Sequence, residues 1–238
     1  MTSLTSAAMT TSPASFASHE LVERVAENLG VIRERIASSG RDASSLRIVA
    51  VTKTFGPDAV RAAYEVGLRV VGENYVDEMR DKKLATADLA MTWHYLGALQ
   101  SNKIGHALQW ADLLCGVSRE KEIEKIDRIR HAMPIYVQVD YTDSQGRNGV
   151  DAKDAPRLVK RARELELDVR GLMTVPAPGA ESSRAAFAAL TALADDLGLE
   201  ERSMGMSDDL EIACELGSTE IRIGRALFGP RMATSPLT

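Results

Sequence analysis

Eight short apolar runs recur along this 238-residue chain, and segments with helical spacing fill the intervals between them. The runs are 46–51, 68–71, 92–96, 112–117, 135–139, 169–173, 203–206 and 220–223. Residues 58–66, 76–87, 101–109, 120–132, 152–165, 182–197 and 208–216 place apolar side chains on one helical face. Parallel strands need a crossover, usually a helix, to return the chain to the same end of the sheet. The alternation therefore predicts an α/β protein whose parallel sheet is covered on both faces. Eight strands within about 190 residues favour a closed (β/α)8 TIM barrel over an open doubly wound sheet, which usually has fewer. No Gly-x-Gly-x-x-Gly follows the first run, which further weakens a dinucleotide fold.

Ahead of the first strand, Leu21, Val25, Leu29, Ile32 and Ile36 predict an extra N-terminal helix over 19–38, with Ser18 as its cap and Gly40 at its end. No Pro-, Gly- or Ser-rich linker interrupts residues 40–230, so a single barrel domain is expected over 19–232. Residues 1–18, rich in Ser, Thr and Ala, read as a disordered tail, and 233–238 as a short C-terminal one. The N-terminal segment lacks the basic and apolar regions of a secretory signal. A net charge of −5 argues against a nucleic-acid partner, because there is no basic excess to displace phosphate counterions. Cys115 and Cys214 are the only cysteines and form no CxxC, so neither a disulfide framework nor a cysteine metal site is expected. No apolar stretch approaches membrane-span length. A cytoplasmic protein without a membrane partner is the expectation.

In such a barrel the chemistry sits just beyond the carboxyl ends of the strands. Lys53 follows the first run, Glu73-Asn74-Tyr75 the second, and His94-Tyr95-Leu96-Gly97 ends the third. Thr174 follows the sixth, Ser207 the seventh, and Gly224-Arg225 the eighth. A partly buried Lys53 would have a lowered pKa and act as a nucleophile toward a carbonyl; alternatively it snorkels to solvent. Ser207, with the backbone N–H groups of Gly224 and Arg225, fits the phosphate cup found after the last two barrel strands. The other reading makes Ser207 a helix N-cap, with Asp208 and Asp209 in the first turn. Gly217-Ser218-Thr219 reads as a helix C-cap followed by a turn. Arg222 lies inside an apolar run, where a charge is costly unless paired. It either pairs with a barrel carboxylate or faces a ligand acceptor in the mouth.

The segments AVTKTF, GENYVDE, WHYLGALQSNK, GLMTV, SMGMSDD and STEIRIGRALFG, in this order, resemble those of the pyridoxal 5′-phosphate (PLP) homeostasis protein family. The resemblance runs from about residue 19 to 231 and implies the barrel of the alanine racemase N-terminal domain. It implies that Lys53 forms the internal aldimine with PLP, and that Ser207, Gly224 and Arg225 hold the phosphate. It further implies that Arg222 faces the pyridine nitrogen, that Asn74 lies near the ring and that Met206 lines the pocket. His94 falls in a family motif, and a core histidine ordering the strand end is at least as good a reading. Ala98 and Arg225 depart from the residues many relatives carry.

An arginine at the ring nitrogen keeps its own proton and leaves the ring a weak electron sink. Racemisation also needs an acid/base opposite the lysine, and Tyr75, Tyr95 and Tyr141 are the candidates. The expected function is therefore binding rather than turnover. The chain would hold PLP on Lys53 and buffer it or deliver it to apo PLP-dependent enzymes, as a monomer or weak homodimer. The enzyme alternative is a weak PLP-dependent amino-acid racemase or lyase.

Overall fold

The computed structural model describes residues 17–142, 144 and 146–230. Its strands are β1 (Arg47–Val51), β2 (Val70–Glu73), β3 (Thr92–Tyr95), β4 (Leu113–Val117), β5 (Pro134–Asp140), β6 (Val150–Asp151), β7 (Asp168–Met173), β8 (Glu201–Ser203) and β9 (Glu220–Ile223). All pairings are parallel; the strands other than β6 follow the order β1-β2-β3-β4-β5-β7-β8-β9, and β9 pairs back onto β1. This is the expected closed (β/α)8 barrel, and closure leaves none of these eight strands with an unpaired edge. The two-residue β6 pairs only with the end of β5 and was too short to read from the sequence.

Helices α2 (Pro57–Glu65), α3 (Val76–Ala85), α4 (Ile104–Trp110), α5 (Glu120–Ile129), α6 (Ala155–Glu164), α7 (Ala180–Asp196) and α8 (Leu210–Glu215) form the crossovers, and α9 (Arg225–Phe228) follows the last strand. The extra helix α1 (His19–Ser38) buries Val25, Leu29, Ile32 and Ile36 against α2, α8 and α9. Each such side chain contributes roughly 1.5–3 kcal/mol through burial. Ser18 caps α1 as expected, its Oγ accepting from the Leu21 amide at 3.3 Å. A bidentate Arg35–Glu211 pair at 2.6 and 2.8 Å ties α1 to α8. Apart from Ala17 and Ser18, the tail expected at 1–18 lies outside the described residues, as does the one at 233–238. Among the described residues no helix is long and apolar enough to cross a membrane.

Strand side chains alternate between the two faces of the sheet. Ile48 and Ala50 of β1, Trp93 and Tyr95 of β3, Ile135 and Val137 of β5, and Ile221 and Ile223 of β9 pack outward in the large core beneath the helices. The intervening residues point into the barrel. There Leu113, Cys115, Tyr136 and Met173 form a second, smaller apolar cluster with Leu96. The same interior holds His94, Ser203, Glu220 and Arg222, all buried.

Two strand boundaries correct the sequence reading. The run expected at 203–206 is in fact β8 at Glu201–Ser203, because Gly205 has φ +99° and turns the chain out of the strand. The second run ends later than expected, so Glu73 is the last residue of β2 rather than part of the loop after it.

Candidate functional site

A cavity of about 560 Å³ opens at the carboxyl ends of the strands. It is lined by all seven residues that the resemblance assigned to the cofactor, namely Lys53, Asn74, Met206, Ser207, Arg222, Gly224 and Arg225, whereas Glu73, Tyr75, His94, Tyr95, Gly97 and Thr174 are not in the lining. The volume falls within the range of small-molecule sites. Val51, Leu96, Met173 and Val175 supply an apolar wall, and Phe55 and Asp208 complete the lining. Of these six, the sequence reading named Leu96 at a strand end and Asp208 beside Ser207, and missed Val51, Phe55, Met173 and Val175. Val51 and Met173 belong to strands, and only knowledge of which strand face points inward identifies them.

Lys53 follows β1 by two residues and is half-buried at the cavity wall. It sits in a turn closed by Phe55 N donating to Thr52 O at 3.0 Å. Asn74 joins β2 to α3, and Tyr75, the residue before α3, is exposed.

Across the cavity, Ser207 is not a helix N-cap. Helix α8 starts at Leu210 with Asp209 in the cap position, so Asp208 and Asp209 lie outside its first turn. Asp209 turns inward, accepting from Met206 N at 2.7 Å and from Ser183 Oγ at 3.0 Å. The Ser207 hydroxyl instead reaches α9 and accepts from Ala226 N at 3.3 Å. Its hydrogen remains available for an anion, beside the backbone of Gly224 and Arg225. A side chain at 224 would crowd this approach, because a Cβ there would meet Val51 O at 3.2 Å. The exposed Arg225 guanidinium pairs with Asp208 at 3.0 Å, which partly cancels the carboxylate charge near the Ser207 hydroxyl. Gly217 and Ser218 end α8 as expected, their amides donating to Cys214 O and Ala213 O.

Among the described residues Arg222 pairs with no carboxylate. Nη1 donates to Ser203 O at 2.7 Å and to Ser203 Oγ at 2.8 Å, and Nη2 donates to Thr174 O at 2.9 Å. Those bonds fix the plane of the guanidinium and leave its remaining N–H groups for a ligand acceptor. Burial pulls its pKa below the ordinary arginine value, and Glu220 opposes the shift.

Glu220 lies two residues earlier, fully buried. Its Oε1 accepts from Ser203 Oγ at 2.6 Å, and Oε2 lies 3.2 Å from Arg47 Nη1, 3.3 Å from the Tyr136 hydroxyl and 3.4 Å from His94 Nδ1. Burial alone would raise this carboxyl. His94, the Ser203 hydroxyl and Arg47 outweigh it and hold the pKa at about 2. Arg47 and Tyr136 also bond to the more exposed Glu201. A polar column thus runs from Arg222 in the cavity, through Ser203 and Glu220, to Arg47 and Glu201 at the start of β1 and β8. His94 belongs to this column and does not line the cavity, so it is a core histidine. It meets the Tyr136 ring edge-on, with centroids 6.3 Å apart. His94, Cys115 and Glu220 approach one another closely, but the Arg47 and Arg222 charges beside them disfavour a cation, and burial pushes the Cys115 thiol well up.

Comparison with known proteins gives four findings. Residues 22–232 match the family described as alanine racemase, N-terminal domain. A pyridoxal phosphate homeostasis protein of Pseudomonas aeruginosa is 40% identical over 228 residues, covering 91% of this chain and 98% of that one. A protein of the same description from Escherichia coli K12 is 33% identical, covering 87% and 97%. Among solved structures, PipY of Synechococcus elongatus with PLP bound is 34% identical, with a TM-score of 0.77, and covers 86% of this chain and 100% of its own.

Proposed function

The chain belongs to the pyridoxal phosphate homeostasis proteins of the alanine racemase N-terminal domain family, and we propose that it binds PLP covalently through Lys53 and buffers or delivers it. The observation that carries this reading is the convergence of Lys53, Arg222 and Ser207 on one cavity from the neighbouring strands β1, β9 and β8. PLP offers an aldehyde, a phosphate and a ring nitrogen, and the cavity presents an amine, an anion-binding corner and a guanidinium. The donor set fits the group.

In the proposed arrangement, Lys53 takes the aldehyde as a Schiff base. Ser207 donates to the phosphate, and the backbone at Gly224 and Arg225 approaches it closely because residue 224 has no Cβ. Arg222 donates toward the ring nitrogen. Asn74 lies toward the ring, and Met206 packs against it as part of the lining.

When bound, the cofactor supplies an electron sink whose strength depends on protonation of its ring nitrogen. Arg222 keeps its proton and offers a hydrogen bond rather than a proton, which weakens that sink. Racemisation needs a second acid/base facing Lys53. Tyr75 is exposed, burial pushes the Tyr95 phenol up, and burial pushes the Tyr141 phenol up to about 12. None of the three is among the residues that line the cavity. These features support holding the cofactor over turning over amino acids. Sequestering a reactive aldehyde and handing it to apo-enzymes is the role that follows, within vitamin B6 and amino-acid balance.

Absorption spectroscopy of the PLP-treated protein tests the reading. The wild type is expected to show the imine band and Lys53→Ala to lack it; a wild type without the band overturns the proposal. Delivery is tested by timing reactivation of an apo PLP-dependent enzyme. Transfer from this protein no faster than from free PLP removes that part of the reading. Steady deuterium incorporation at Cα of amino acids in heavy water would favour the enzyme alternative.

A further inference from the structure

Lys53 occupies a turn that its own sequence does not favour. Thr52 O accepts from Phe55 N at 3.0 Å, so Lys53 and Thr54 are the two central residues. Thr54 has φ +68°, in the left-handed region. That third position of a turn ordinarily calls for glycine when φ is positive. A β-branched residue there is strained and persists only where its surroundings over-determine it.

The surroundings that do so are three charged side chains away from the cavity lining. Lys82 of α3 is buried, and its Nζ donates to Thr52 O at 2.7 Å, to Glu73 Oε1 at 2.6 Å and to Glu78 Oε2 at 3.0 Å. The same Glu78 oxygen accepts from Thr54 N at 2.8 Å. Glu73 Oε1 also accepts from the Thr52 hydroxyl at 2.6 Å. The residue before Lys53 and the residue after it are thus both tied to the one ammonium group, directly or through Glu78. Burial pushes the Glu73 carboxyl above its ordinary value, and the adjacent Lys82 charge opposes that shift. A buried ion pair adds little net stability, and replacing both partners with apolar residues is often neutral. Its placement astride a strained turn suggests a use other than stability.

We propose that Lys82, acting with Glu73 and Glu78, is a positioning residue that holds the Thr52–Phe55 turn in its left-handed form and so aims Lys53 into the cavity. The proposal rests on the reading of Lys53 as the PLP tether and deepens it. Lys82 does not touch the ligand in this scheme; it acts through the backbone on either side of Lys53.

The test compares PLP release from wild type, Lys82→Met, Glu78→Gln and the double variant Lys82→Met/Thr54→Gly, by stopped-flow dilution into a PLP-trapping apo-enzyme. The induced circular dichroism of the bound cofactor reports its orientation. Loss of the clamp frees a turn whose strain corresponds to about tenfold in an equilibrium. Lys82→Met is expected to release PLP about tenfold faster with reduced induced dichroism. Glu78→Gln, at a half-exposed site that leaves the core intact, is expected to shift both readouts the same way by less. The double variant is expected to recover most of the loss, because glycine adopts positive φ without a clamp. A merely structural role for Lys82 would lower the melting temperature without being rescued at residue 54. Release and dichroism within twofold of wild type in both single variants overturn the proposal, as does a double variant no better than Lys82→Met. A wild type that takes up no PLP overturns this inference together with the reading it rests on; a competent wild type with indifferent variants overturns this inference alone.

Discussion

Arg222 and Glu220 are coupled through one hydroxyl. Ser203 Oγ accepts from Arg222 Nη1 at 2.8 Å and donates to Glu220 Oε1 at 2.6 Å. The strand alternation places both charged residues inside the barrel, two positions apart on β9, and β8 supplies the serine between them. The arrangement lets a buried cation face the cavity while its countercharge sits one layer deeper, out of the ligand's reach.

Ser203→Ala removes that bridge. Glu220 Oε1 loses its hydrogen-bond donor, while Arg222 keeps its bonds to Ser203 O and Thr174 O. A buried acceptor left without a partner costs roughly 1–3 kcal/mol. Denaturant unfolding is expected to show a loss of that size with an unchanged slope. PLP affinity should fall less than in a variant of Ser207, because the Arg222 plane is still held on two sides.

The acid limb of the stability curve should belong in part to Glu220. Its carboxyl sits at about 2 in the folded protein, held there against burial by His94, Ser203 and Arg47. The unfolded value is ~4.3. Between those values the unfolded state binds more protons, so stability rises with pH across the window. The contribution is fully present above the unfolded value and is lost as pH falls through the folded one. Glu220→Gln is expected to flatten the pH dependence of unfolding in this interval. It should also cost on the order of 3 kcal/mol near neutrality, because Arg47 and Arg222 lose a buried countercharge. An unchanged acid slope in the variant would count against this assignment.

Ser207→Ala addresses the anion-binding corner of the cavity. The Ser207 hydroxyl accepts from Ala226 N and lines the cavity together with Gly224 and Arg225, where it can donate its own hydrogen to an anion. A hydrogen bond to a charged group contributes about 1.5–3 kcal/mol, which corresponds to a PLP affinity loss of roughly tenfold to a hundredfold. Titration with PLP and with pyridoxal separates the effects. The variant should lose affinity for PLP and bind the phosphate-free aldehyde as the wild type does.

The sequence carried the barrel and the cavity unevenly. Outward-facing apolar residues such as Ile48, Trp93 and Ile221 made the strand rhythm legible, because water exclusion alone dictates them. The charged residues within the strands obscured it. Glu201 and Arg202 of β8 read as a polar segment, so the strand was expected two residues late. The partners of Glu201, Arg47 and Tyr136, lie far along the chain, and Arg202 pairs with Asp195 at the end of the preceding helix. Glu73 looked like a loop residue for the same reason, since its countercharge Lys82 sits on the following helix face among ordinary surface lysines. Lys53, Ser207 and Arg222 were legible because barrel geometry assigns meaning to residues just beyond strand ends. Lys82 was not, because nothing local distinguishes a lysine that is 5% exposed from one on a helix surface.

Gly97 joins the backbone of the site to its core and gives the sharpest steric test. A Cβ at residue 97 would stand 2.3 Å from Asn74 O, 2.7 Å from the Tyr95 hydroxyl and 2.8 Å from Tyr95 Cζ. The tyrosine ring is buried in the layer beneath the helices and has little room to retreat. The backbone carbonyl of Asn74 must then move, and Asn74 lines the cavity. Overpacking of this kind typically costs about 1–3 kcal/mol through backbone shifts. Gly97→Ala is therefore expected to lower the denaturation midpoint and also to weaken PLP binding, although residue 97 does not line the cavity. Gly146→Ala is the control: among the described residues a Cβ there meets nothing within 4 Å, and φ is +84°, so it carries backbone strain without a steric clash against them. If both variants lose stability and PLP affinity alike, the effect at Gly97 is not transmitted through Asn74.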